Sequence, residues 1–200
     1  MKGYNILFLG SSVTYGTASG GYSFADCISE RNGANMYKEA VGGTTLTDEK
    51  NSYIQRLERI DKTIKFDLAI CQLSTNDAMR KKPLGAVSLT DSPDRTTVCG
   101  AIEYIINYIR AVWGCPVVFY TNSYYDNERY SNMVDAMKKI ASVYNVGLID
   151  LYGDKTFNEI TEAQRKIYMA DDIHPTKAGY TEWWTPHMEE WLYNYIGRNT

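Results

Sequence analysis

Two short stretches hold residues whose types can do chemistry together. One is Gly10-Ser11-Ser12-Val13-Thr14-Tyr15-Gly16, which closes the first apolar run; the other is Asp171-Asp172-Ile173-His174-Pro175, near the C-terminus. A serine hydroxyl becomes a nucleophile when a base takes its proton, and the base needs a third group to hold its tautomer. With Ser12 as nucleophile and His174 as base, an acid three residues before the histidine supplies the orienting group from the same turn of chain. Asp171 has that spacing, which folds its carboxylate back toward the ring, and its neighbour Asp172 is left to cap the turn. The competing histidine, His187, follows Pro186 inside a helical pattern, has no acid three positions earlier, and reads as structural. Taken alone, Ser12 fits a helix N-cap or a phosphate-binding turn better than a nucleophile, and only the combination with the second stretch reverses that order.

The chemistry suggested by the combination is acyl transfer, which also needs donors aimed at a developing oxyanion. The backbone amide of Ser12 and those of the Gly42-Gly43 turn are available, because glycine lets main chain approach a ligand closely. Asn76 adds a side-chain amide. The alternative for Asn76-Asp77 is an Asx-turn at a strand end, and Asp77 is expected to be structural, bonding loop amides below the site.

These residues need a scaffold, and the pattern of the chain supplies one. Apolar runs at Ile6–Leu9, Phe66–Leu73, Pro116–Thr121 and Val146–Leu151 read as buried strands, and Asn35–Val41, with polar Lys38 and Glu39, reads as an edge strand. Helical patterns lie between and after them, at about Phe24–Arg31, Tyr53–Lys62, Val98–Trp113, Arg129–Tyr144 and Lys177–Ile196. In the fourth of these, Met133, Val134, Met137, Ile140, Ala141 and Tyr144 recur at three- and four-residue spacing and form one core-facing stripe. Strands alternating with helices imply a five-stranded parallel sheet covered on both faces, an α/β/α three-layer sandwich of flavodoxin-like order. In such sheets ligands sit beyond the C-terminal strand ends. Ser12 follows the first strand, Gly42 the second and Asn76 the third, and the Asp171–His174 loop is expected to return to the same rim. The loop Ala78–Arg95 is expected to cover the pocket.

Composition narrows the choice of class. A length of 200 residues suits one domain, 1–200, and falls short of two ordinary ones. With 44% hydrophobic and 22% charged residues, disorder is excluded. A net charge of −3, with basic clusters no longer than Arg80-Lys81-Lys82, excludes a nucleic-acid surface. Cys27, Cys71, Cys99 and Cys115 have no C-x-x-C spacing, so reduced and mostly buried thiols are expected, with no metal and no cofactor. The first strand starts at about Asn5, which leaves no room for a signal peptide, and no apolar run reaches transmembrane length. A cytoplasmic protein without a membrane partner is the expectation.

The four blocks together resemble the SGNH, or GDSL-like, serine hydrolases. The first block of that family is similar to Gly10-Ser11-Ser12 with Gly16, its second-block glycine to Gly42, its third block to Ser74-Thr75-Asn76-Asp77, and its Asp-x-x-His block to Asp171 and His174. The resemblance implies Ser12 as nucleophile, His174 as base, Asp171 as orienter, an oxyanion hole of Ser12, Gly42 and Asn76, and no metal. Ser11 stands where the family has aspartate, and Ser74 where it has glycine. The implied activity is esterase or acylhydrolase action on a small or carbohydrate ester, an O-acetyl sugar above all. Acyl transfer to a sugar hydroxyl, a flavodoxin-like or carbohydrate-binding module, and a catalytically silent relative are the alternatives.

Overall fold

Ile6–Leu9, Leu68–Cys71 and Val117–Tyr120 are unbroken apolar runs, the signature of strands buried on both faces. In the computed structural model they lie in β1 (Asn5–Gly10), β3 (Leu68–Gln72) and β4 (Val117–Tyr120), the three inner strands of a parallel sheet. The edges are β2 (Asn35–Ala40), the more polar and exposed strand, and β5 (Gly147–Ile149). The order is β2-β1-β3-β4-β5, with five strands all parallel, as the sequence predicts. The structure describes residues 1–90 and 92–199; Asp91, in the loop expected over the pocket, and Thr200, the last residue of the expected domain, lie outside the described residues.

Alternate strand residues feed two cores. Leu7, Leu9, Ala69, Cys71, Val117 and Phe119 pack with α3 (Tyr53–Arg59), α5 (Val98–Trp113) and α6 (Glu128–Tyr144). Ile6, Phe8, Leu68, Ile70, Val118 and Tyr120 pack with α2 (Phe24–Asn32) and α9 (Thr185–Asn199). Each fully buried side chain of this size contributes about 1.5–3 kcal/mol, so the two layers hold the sheet rigid beneath its loops. All four cysteines are buried and free. Among the described residues, no helix is long and apolar enough to cross a membrane.

The structure departs from the expected elements in three ways. The helix expected over Tyr53–Lys62 stops at Arg59, because Asp61 accepts from both the amide and the hydroxyl of Thr63 and turns the chain. The helix expected over Lys177–Ile196 begins as a π-helical segment, Gly179–Trp184, before α9. Pro186 lacks the N–H that would bond Glu182, and the Thr185 amide reaches back to the Tyr180 carbonyl instead. Four short α-helices and a 3₁₀ turn at Thr17–Ser19 were not expected; the helices are α1 (Ser12–Tyr15), α4 (Thr75–Met79), α7 (Lys155–Asn158) and α8 (Glu162–Tyr168). After Met79 the loop is tied along α5, where Ser88 donates to Glu103 and the Cys99 amide donates to the Leu84 carbonyl.

Candidate active site

Ser12 opens α1 directly after β1, and its Oγ lies 2.8 Å from His174 Nε2 across 162 residues of sequence. His174 Nδ1 lies 2.8 Å and 3.0 Å from the two carboxylate oxygens of Asp171. A carboxylate can only accept, so Nδ1 carries the ring proton and Nε2 is left free to accept from the serine hydroxyl. Burial pushes the Asp171 carboxyl up, but the Ile173 and His174 amides and the imidazole outweigh it and hold the group below its ordinary value. Asp172 points away: it is largely exposed and pairs loosely with Arg165 at 3.6 Å. His187 sits elsewhere, 3.3 Å from Asp154 and against the Phe157 ring.

The His174 loop is itself a tight structure. A bridge between Met169 and Pro175 closes it, and Asp171 Oδ1 accepts from the amides of Ile173 and His174, both at 2.7 Å. The carboxylate that orients the ring therefore also shapes the turn that carries it. Ile173 packs against both cores and anchors the loop at the sheet end.

The second and third loops meet the first on the same rim. A Cβ on Gly42 would stand 3.8 Å from the Ser12 Cβ, so the Gly42 backbone lies beside the serine. Among the described residues nothing accepts from the Ser12 or Gly42 N–H. Asn76 Nδ2 donates to the Thr44 carbonyl at 2.9 Å, which ties the Gly42–Thr44 turn to α4 and uses one of its two N–H groups. Ser74, not Asn76, caps α4, with its Oγ accepting from the Asn76 and Asp77 amides. The serine in place of the family's glycine thus has a structural use. Asp77 is fully buried, accepts from the Leu46 and Thr47 amides, and has its carboxyl pushed up by burial, which is the structural role the sequence suggests.

Several supports were not visible in the sequence. Arg56 is buried on α3 and donates to the carbonyls of Gly10 at 2.7 Å and Glu39 at 2.6 Å and to Thr44 Oγ1 at 3.2 Å. It joins the ends of β1 and β2 to the oxyanion turn, and burial draws its guanidinium pKa down. Tyr180, in the π-helical segment, donates to the Val13 carbonyl at 2.7 Å. Gln72, at the end of β3, accepts from Ser11 and Thr14. These pairings span from 12 to 167 residues, and nothing local in the sequence marks them.

Similarity to known proteins places the chain in a family. The profile of the GDSL-like Lipase/Acylhydrolase family matches residues 8–181, and the chain belongs to that family of ester hydrolases. Curated proteins provide no significant match to the chain. Among solved structures, a protein from Lactobacillus plantarum is 20% identical, with a TM-score of 0.79, covering 100% of this chain and 99% of its own. A member of the lipolytic protein G-D-S-L family from Veillonella parvula is 16% identical, with a TM-score of 0.70 and coverage of 93% and 96%. A mutant of an acetyl-xylooligosaccharide esterase from Geobacillus stearmophilus is 14% identical, with a TM-score of 0.69 and coverage of 96% and 94%. At these identities the likeness is one of fold.

Proposed function

We propose that the protein is a serine esterase that deacylates a small or carbohydrate ester, with an O-acetyl sugar as the preferred substrate class, through an acyl-Ser12 intermediate. The observation that carries this reading is the unbroken line Ser12 Oγ, His174 Nε2, His174 Nδ1, Asp171, beside two amides with no partner among the described residues. Ser12 Oγ attacks the ester carbonyl while His174 Nε2 takes its proton, and Asp171 stabilises the imidazolium. The oxyanion accepts from the amides of Ser12 and Gly42 and from the second N–H of Asn76 Nδ2. His174 then gives its proton to the departing alcohol, and water, activated by the same ring, releases the acid and restores Ser12. A binding module would have no use for that relay.

Two features favour a compact acyl group on a sugar. Tyr15, one helical turn beyond Ser12, is 45% exposed and offers a ring face to a sugar. The turns that carry Ser12, Gly42 and His174 are built of small and polar residues, which suits small acyl chains better than lipid tails. The direct test is a panel of acetylated sugars set against simple esters of graded acyl length. Acetyl esters are expected to turn over fastest, with activity falling as the chain lengthens; a preference for long chains would overturn the substrate assignment.

A further inference from the structure

A four-residue helix cannot hold its own orientation, since nucleating a single turn is unfavourable. Yet α1 carries Ser12, and Ser11 at its N-cap makes no side-chain capping bond. Both polar groups of Ser11 turn instead to Gln72 Oε1, the amide at 2.8 Å and the hydroxyl at 3.2 Å. Thr14 Oγ1 donates to the same oxygen at 3.0 Å and contacts Tyr120 OH at 2.7 Å. One oxygen on the sheet therefore holds the residue before the serine and the residue two beyond it.

We propose that Gln72 is a positioning residue for the nucleophile, its Oε1 fixing the α1 turn so that Ser12 Oγ stays in line with His174 and with the oxyanion donors. This rests on the reading of Ser12 as nucleophile. Gln72 is fully buried and belongs to a rigid inner strand, so its oxygen is a fixed reference point. Gly10 makes the grip possible: a Cβ there would stand 1.7 Å from Thr14 Oγ1 and 2.9 Å from Gln72 Oε1. From the other side Tyr180 holds the Val13 carbonyl and Ser23 Oγ the Thr14 carbonyl, each at 2.7 Å. Among the described residues Gln72 Nε2 has no partner, so all of the side chain's bonding to the turn goes through its accepting oxygen.

Gln72→Met keeps the volume and removes the acceptor. With the turn free to shift by a fraction of an ångström or more, kcat is expected to fall about 100-fold, with KM near the wild-type value. Labelling of Ser12 by an organophosphonate should slow in proportion, measured per folded molecule. Thr14→Val is expected to slow both by a smaller factor, and Thr14→Ser, which retains the hydroxyl, to restore them. Folded Gln72→Met with wild-type kcat and labelling rate would overturn the proposal. Should Gln72→Met not fold, wild-type rates in Thr14→Val would do the same. Wild-type protein unlabelled at Ser12 would instead remove the nucleophile assignment itself.

Discussion

Asn76 has one side-chain amide and two demands on it, the Thr44 carbonyl, 2.9 Å away, and the oxyanion that forms during attack. Because Ser74 caps α4, the Asx-turn alternative does not hold for Asn76, whose structural bond is the one to Thr44. Asn76→Ala is therefore expected to lower kcat by about 100- to 1,000-fold. KM should change far less, because the charge exists only in the transition state. A melting temperature measured on the same variant separates this from collapse of the Thr44 tie; near-normal kcat in a destabilised protein would end the oxyanion role. At the carboxylates, Asp171→Asn should lose most activity and Asp172→Asn little, since only Asp171 touches the ring. The folded Asp171 carboxyl is held below its ordinary value, so its stabilising contribution is full above the unfolded value. That contribution is lost as pH falls through the folded value. The difference in melting temperature between wild type and Asp171→Asn should accordingly shrink on acidification, and a constant difference across the acid range would contradict the pairing.

At the scale of elements, the His174 loop is positioned by how closely the π-helical segment packs on α8. A Cβ on Gly179 would stand 2.1 Å from the Tyr168 carbonyl oxygen, a backbone atom that cannot easily give way. Gly179→Ala is expected to cost about 1–3 kcal/mol of stability. Because the same contact seats His174 and Tyr180, kcat should fall in the molecules that remain folded; thermal unfolding with kinetics on one sample reads both. Elements differ in how visible they are in sequence. The inner strands could be read because burial on both faces leaves continuous apolar runs such as Ile6–Leu9, and α5 and α6 because their length establishes a periodic stripe. The helices α1, α4, α7 and α8 are seven residues or shorter, two turns at most, and leave no period to detect. The π-helical segment is a consequence of Pro186 and of packing at Gly179, and its apolar residues fit an ordinary helix equally well.

At the scale of the molecule, the parallel order β2-β1-β3-β4-β5 brings the ends of β1, β2 and β3 side by side, so that residues far apart in sequence share one rim. The family resemblance selects Gly42 over Gly43, and the other residues proposed to touch the reacting atoms, Ser12, Asn76, Asp171 and His174, could be read from the sequence because chemistry restricts their types. Their supports could not. Gln72, Arg56 and Tyr180 hold that rim through contacts 12 to 167 residues long, and a buried polar residue announces no partner. On this architecture Ser12 is the proposed nucleophile, activated by His174. That role is tested most directly by treating the protein with a serine-directed organophosphonate and mapping the adduct by mass spectrometry. A single adduct on Ser12 is expected, absent from a folded Ser12→Ala variant that has lost turnover by several orders of magnitude. An adduct on another residue, or undiminished turnover in Ser12→Ala, would contradict it.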